Sequence, residues 1–173
     1  MKKIYFLLLI FFIHTNVYSQ NIVYLDVQYI IDNSDIGKFY KSKINTIQDE
    51  NSKKLKVRED EINKEELSIN NQKNILSKEE IQKKIKSLND LLKNYQTYRN
   101  DLKKNVVEKK KLYTSKILEN LNPLLTEYVD SKNITLVVEK KNILVGIKSL
   151  DITPEILKIL NEKTKKNNLI NEN

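Results

Sequence analysis

The sequence predicts an α+β protein that is mostly helical: a small β-body, built from one strand plus a β-hairpin, carrying a long antiparallel coiled-coil helical hairpin as an arm. Three observations predict it. Residues 38–120 contain neither Pro nor Gly. The second half of that stretch carries a heptad seam. The strand-like segments lie only at its two flanks, so they can pair with each other only if the arm projects from them.

The first residues read as an address. Lys2 and Lys3 precede an apolar run from Ile4 to Ile13, and Val17-Tyr18-Ser19 offers small residues where a signal peptidase reads. A membrane span needs about 20 apolar residues, so the run suits a cleaved signal at 1–19 better than an anchor. Export through it implies a periplasmic protein that begins at Gln20. Asn21 to Val27 (N-I-V-Y-L-D-V) is short, β-branched and aromatic, and reads as a strand. Asn33, Ser34 and Asp35 can start a helix, with Gly37 at the junction.

The arm follows at 38–120. Ile81, Ile85, Leu88, Leu92, Tyr95, Arg99, Leu102, Val106, Lys109 and Tyr113 alternate spacings of four and three, the seam of a coiled coil with Arg99 and Lys109 as polar breaks. The first half is weaker. Leu55, Ile62, Ile69 and Leu76 recur every seven residues, but their seam partners Asn51, Arg58, Glu65 and Gln72 are polar. Ser77-Lys78-Glu79-Glu80 is a capping box, which places a turn near 73–77. The alternative, one unbroken helix of over eighty residues, would run about 120 Å. Pro123 predicts a kink or break. Lys132-Asn133 predicts a helix end, since Asn tolerates the left-handed conformation.

Two strands are expected next, Ile134 to Glu139 and Ile143 to Lys148, joined as a hairpin through Lys140-Lys141-Asn142. Thr153-Pro154-Glu155 starts a last helix, with Thr153 as N-cap and an apolar face of Ile156, Leu157, Ile159 and Leu160. The β-body therefore takes residues 20–37 and 121–161, and 162–173 reads as a frayed tail. Both faces of the expected strands are apolar, more than one small helix can cover. An oligomer core is expected at Val23, Leu25, Val27, Leu136, Val138 and Val145.

Composition narrows the function. The single His is His14, inside the expected signal, and there is no Cys. That removes Ser-His and Cys-His catalysis and the usual zinc sites, so no enzyme, metal or cofactor is expected. The two glycines, Gly37 and Gly146, cannot form a phosphate loop. Charge sits on the arm: residues 38–120 hold 21 Lys or Arg against 13 Asp or Glu, whereas the rest of the mature chain holds 8 against 10. A solvated helix face accounts for most such charge. The remainder suits a negative partner, an acidic unfolded chain or anionic lipid, and export argues against nucleic acid. Tyr95 and Tyr113 fit the seam. Tyr98 is placed for an exposed contact.

The order of parts resembles the Skp (OmpH-like) periplasmic chaperone family. Ile22 to Val27 is similar to that family's opening strand with its central Asp, Leu136-Val137-Val138-Glu139 to the strand after the arm, and Asp151-Ile152-Thr153 to the start of the last helix. The arm matches only in kind. The resemblance implies a homotrimer whose strands form a shared body. Its arms surround a cavity that holds an unfolded outer-membrane β-barrel protein without ATP. Client contact is then expected at Tyr98, Arg99, Lys103, Lys104 and Lys110. The family's link to lipopolysaccharide has no matched positions here. The chain departs from the family in having no Ala and abundant Asn. The competing reading is a coiled-coil scaffold or spacer of the cell envelope that holds no client.

Overall fold

Two serines start the two long helices. The computed structural model describes residues 21–167. The expected signal at 1–19 lies outside them, as does the end of the expected tail. Strand β1 (Ile22–Leu25) leads into helix α1 (Val27–Asn33), the long helices α2 (Asp35–Gln72) and α3 (Lys78–Ser131), strand β2 (Leu136–Glu139) and helix α4 (Thr153–Lys166), with 3-10 turns at Lys140–Asn142 and Lys148–Leu150. The Ser34 hydroxyl accepts from the Gly37 N–H at 3.1 Å and opens α2. Ser77 opens α3 with both halves of the predicted capping box: its hydroxyl accepts from the Glu80 N–H, and the Glu80 carboxylate accepts from the Ser77 N–H at 2.9 Å. These bonds satisfy first-turn N–H groups that have no helical partner.

The turn at 73–77 folds α2 and α3 into the expected antiparallel hairpin. Contacts across it step outward on both sides of the turn: Glu65 with Lys84, Glu59 with Tyr95, Arg58 with Tyr98, Tyr40 with Tyr113. The inner face of α2 is half polar, as the heptads imply. Ile44 and Ile62 are buried, while Asn51, Leu55, Glu65 and Gln72 are half-buried. On α3 the seam departs from the predicted register. Ile85 and Arg99 are exposed, and Lys84 and Tyr98 turn inward in their place. The departure is local: Leu88, Leu92 and Tyr95 between these positions, and Leu102, Val106, Lys109 and Tyr113 beyond them, are half-buried as predicted. At the two departures α2 offers polar partners, Glu65 to Lys84 and Arg58 to Tyr98.

The body packs β1, β2, α1, α4 and the roots of α2 and α3 around one core that includes Leu25, Ile30, Ile36, Leu121, Ile156 and Leu160. β1 pairs with β2 in parallel, Ile22 opposite Leu136 and Leu25 opposite Glu139. Its other edge takes a bridge to Asp151, where the Ile152 N–H donates to the Tyr24 carbonyl at 3.0 Å. Both edges of β1 are thus used.

Several expectations need correction. The second strand of the hairpin does not form: Lys140–Asn142 winds into a 3-10 turn instead of a tight hairpin loop, so residues 143–148 do not fold back along β2 but pass over Tyr24, whose hydroxyl donates to the Ile147 carbonyl. Val27 is not in the strand but opens α1, because the Asp26 side chain caps that helix by accepting from the Tyr29 N–H at 2.9 Å. Pro123 does not break α3. It lies on the exposed side, and the carbonyl it leaves without a helical donor belongs to Glu119, also exposed, where water can serve it. Thr153 is not the N-cap of α4: its hydroxyl accepts from the Asp26 N–H at 2.9 Å, stitching β1 to α4. Finally, α4 runs past Asn161 to Lys166. Asn161 accepts from the Asp35 N–H at 2.8 Å, and Thr164 is buried with its hydroxyl donating to the Leu160 carbonyl, so the polar end of this helix is anchored.

Gly37 is required by a close approach. A Cβ there would lie 1.9 Å from the Ile31 carbonyl oxygen. Its absence lets the last turn of α1 pack against the first turn of α2, which sets the angle at which the arm leaves the body. Asn133 adopts φ 51° just after α3, as the sequence predicts. This left-handed residue turns the chain so that β2 can return alongside β1.

Candidate functional site

The surface best suited to a partner is the arm, and its chemistry follows from which side chains the seam consumes. Near the body the seam is apolar and aromatic: Tyr40 stacks on Tyr113, beside the buried Ile44 and Ile117. Further out it is polar. Lys84 pairs with Glu65 at 3.4 Å, and the Tyr95 hydroxyl donates to Glu59, which holds its phenol above the usual range. Arg58 places its guanidinium 4.0 Å over the Tyr98 ring.

Between these zones the helices leave a gap. Gln48, Asn51 and Ser52 on α2 are too short and polar to fill the space facing Leu102 and Val106 on α3. The result is an open concavity of about 650 Å³. A second of about 400 Å³ continues it toward the body, past Tyr40, Ile44 and Tyr113 to Gln28 and Asp32 of α1. A third of about 450 Å³ lies on α3 itself between Val107 and Leu118. Lys110 borders all three.

Arg99, Lys103 and Lys110 all border the gap. Lys104 stands outside it, exposed and 4.0 Å from Glu108. Tyr98 is half-buried beneath Arg58, so it serves the seam as much as any partner. Sequence reasoning passed over Gln48 and Ser52. Their signal is small polar side chains opposite the strongest apolar stretch of the other helix.

The six residues expected at an oligomer core divide. Val23 and Leu25 are buried inside the single chain, and Val27 packs partly buried against the same core. Leu136 is 52% exposed, Val138 is half-buried and Val145 is 92% exposed. Leu144 and Ile147 stand out beside Val145, so apolar surface gathers on the segment after β2. Gly146 lets this segment pass close over the Tyr24 ring, whose hydroxyl donates to the Ile147 carbonyl at 3.3 Å.

A charged knot ties the body together. Lys140 lies 3.1 Å from Asp151 and 3.8 Å from Asp26. Burial pushes the Asp151 carboxyl up, but hydrogen bonds from Thr153 and Lys140 outweigh it and hold the group below its ordinary range. The Asp151 hydrogen bond raises Lys140. Among the described residues no group of acidic or His side chains is placed to hold a metal, and no helix is long and apolar enough to cross a membrane.

Two comparisons with known proteins point the same way. Residues 21–160 match the model of the family described as outer membrane protein (OmpH-like). Comparison with curated protein sequences gives no match. A solved structure of a candidate outer membrane chaperone (OmpH-like) from Caulobacter crescentus superposes with a TM-score of 0.75 at 13% identity, covering 84% of this chain and 86% of that one. At that identity the likeness speaks for the fold.

Proposed function

Because the chain belongs to the OmpH-like outer membrane protein family, we propose that it is an ATP-independent periplasmic holdase that keeps unfolded outer-membrane β-barrel proteins soluble between its arms. The observation that carries this reading is the proximal arm, where basic side chains border open apolar concavities that none of the described residues fills. A holdase needs such a surface, because weak and adaptable contacts permit both capture and release. The solved structure that shares the fold is itself described as a candidate outer membrane chaperone.

The active form on this reading is a homotrimer assembled through the body after a cleavable signal is removed. Val23 and Leu25 are already buried within one chain, so the interface falls on Leu136, Val138, Val145 and their neighbours Leu144 and Ile147. Burying them would cover apolar surface that costs about 25 cal/mol per Å² to leave in water.

The test is to dilute a urea-denatured outer-membrane β-barrel into buffer with the mature protein and without nucleotide. Mass and light scattering are then followed. A soluble complex of one client with three copies is expected. Aggregation of the client at the same rate with and without the protein would overturn the reading and leave the envelope scaffold.

A further inference from the structure

Resting on the holdase reading, we infer that the gap between α2 and α3 is a subsite for one strand-length segment of client, an extended stretch in which apolar and acidic side chains alternate. Three features of the gap select that occupant.

The first is size. The two neighbouring concavities, which share Gln48 and Lys110, together extend along α3 from Arg99 to Ile117, about 27 Å at 1.5 Å per residue. An extended chain rises about 3.3 Å per residue, so about eight residues fit. A membrane-spanning β-strand has about 9–11 residues. The second is two-sidedness. Leu55, Leu102 and Val106 form an apolar floor, and Arg99, Lys103 and Lys110 stand along the border. A strand presents alternate side chains to opposite sides, and strands of membrane barrels alternate apolar and polar residues. The third is charge. Residues 99–116 carry seven Lys or Arg against Asp101 and Glu108. An acidic alternating segment is therefore favoured over a basic one.

The gap exists because Gln48 and Asn51 stand where a heptad seam would place apolar side chains. Polar residues at these positions sacrifice helix–helix packing and leave the floor of Leu55, Leu102 and Val106 open. Leucine at Asn51 would fill it.

The probe is a fluorescein-labelled peptide of about ten residues alternating valine and glutamate, titrated with the full mature protein and followed by anisotropy. Two peptides are controls, one with lysine in place of glutamate and one with the same valines and glutamates sorted into two blocks. The alternating acidic peptide should bind at least tenfold more tightly than either. Lys103→Glu combined with Lys110→Glu should weaken it tenfold or more, and Lys104→Glu should weaken it no more than twofold. Asn51→Leu should abolish binding while raising the melting temperature, which separates a filled subsite from a misfolded arm. Equal binding of the three peptides would overturn the subsite, as would equal losses from Lys104→Glu and the double variant. So would undiminished binding to Asn51→Leu. If the peptides fail but the denatured barrel is still held soluble, the subsite falls and the holdase reading stands. If the barrel is not held, the holdase reading falls first.

Discussion

Tyr40 of α2 and Tyr113 of α3 lie face to face, ring centroids 4.4 Å apart and planes 9° from parallel, where the arm enters the body. One ring lies a few residues after the Gly37 junction and the other just before the buried Ile117. The stack thus couples the direction of the arm to the core. Aromatic pairs contribute about 0.5–1.5 kcal/mol beyond their buried area. Tyr40→Leu and Tyr113→Leu should each destabilise the fold. A double-mutant cycle in urea should return a coupling of about 1 kcal/mol. A coupling near zero would mean that the stack is contact without energetic consequence.

Gly37→Ala tests the junction more severely. In an open helix this change would stabilise by about 1 kcal/mol, since Ala is the better helix former. Here the new Cβ would meet the Ile31 carbonyl oxygen at 1.9 Å, so α1 and α2 must move apart. Overpacking of this kind costs about 1–3 kcal/mol. The melting temperature followed by circular dichroism should fall. A rise would show that the junction relaxes freely.

How much of this was legible beforehand depends on whether a signal was local. The capping box at Ser77 and Glu80, the left-handed Asn133 and the half-polar seam of α2 are local patterns, and each appears where expected. The third strand was misread because its apolar, β-branched residues satisfy the strand pattern. Whether they pair depends on the chain folding back along β2, and the 3-10 turn at Lys140–Asn142 carries it over Tyr24 instead. Thr153 and Asn161 were misread for the same reason: their partners, Asp26 and Asp35, lie more than a hundred residues away. The gap on the arm was half legible. The polar positions of α2 and the basic ones of α3 were visible, but which of them face each other depends on local partners, and these turn Lys84 and Tyr98 inward in place of Ile85 and Arg99.

Asp151 should give the body an acid-sensitive component. Its folded pKa lies below the ordinary Asp value of about 3.9. Above that value the carboxylate is charged in folded and unfolded chains alike, and its full contribution is present. As pH falls through it, the unfolded chain takes up a proton first, and stability is lost until the folded value is passed. Asp151→Asn should therefore lower the urea midpoint at pH 7 and lower it less at about pH 3. An equal loss at both values would show that the carboxylate charge is not what Thr153 and Lys140 hold.

The last prediction concerns where the arm opens. Its root is held by the tyrosine stack, Ile44 and Ile117, which do not depend on ionic strength. Its distal half keeps one buried apolar side chain on α2, Ile62, and adds charged contacts, Lys84 with Glu65 and Arg58 over Tyr98, in which the Lys84 and Glu65 side chains remain 32% and 30% exposed. Raising salt from 0.15 to 1 M shortens the screening length from about 8 to about 3 Å. Those distal contacts weaken, while apolar packing does not. Backbone hydrogen exchange between Arg58 and Tyr98 should then quicken several-fold at high salt, with the amides of Ile117 and Leu121 unchanged. Arg58→Ala should reproduce the distal effect at low salt. The expected result is an arm with a firm root and an ion-controlled outer half. Uniform quickening along both helices would instead make the hairpin a single cooperative unit, whose outer half distal polar contacts could not tune separately.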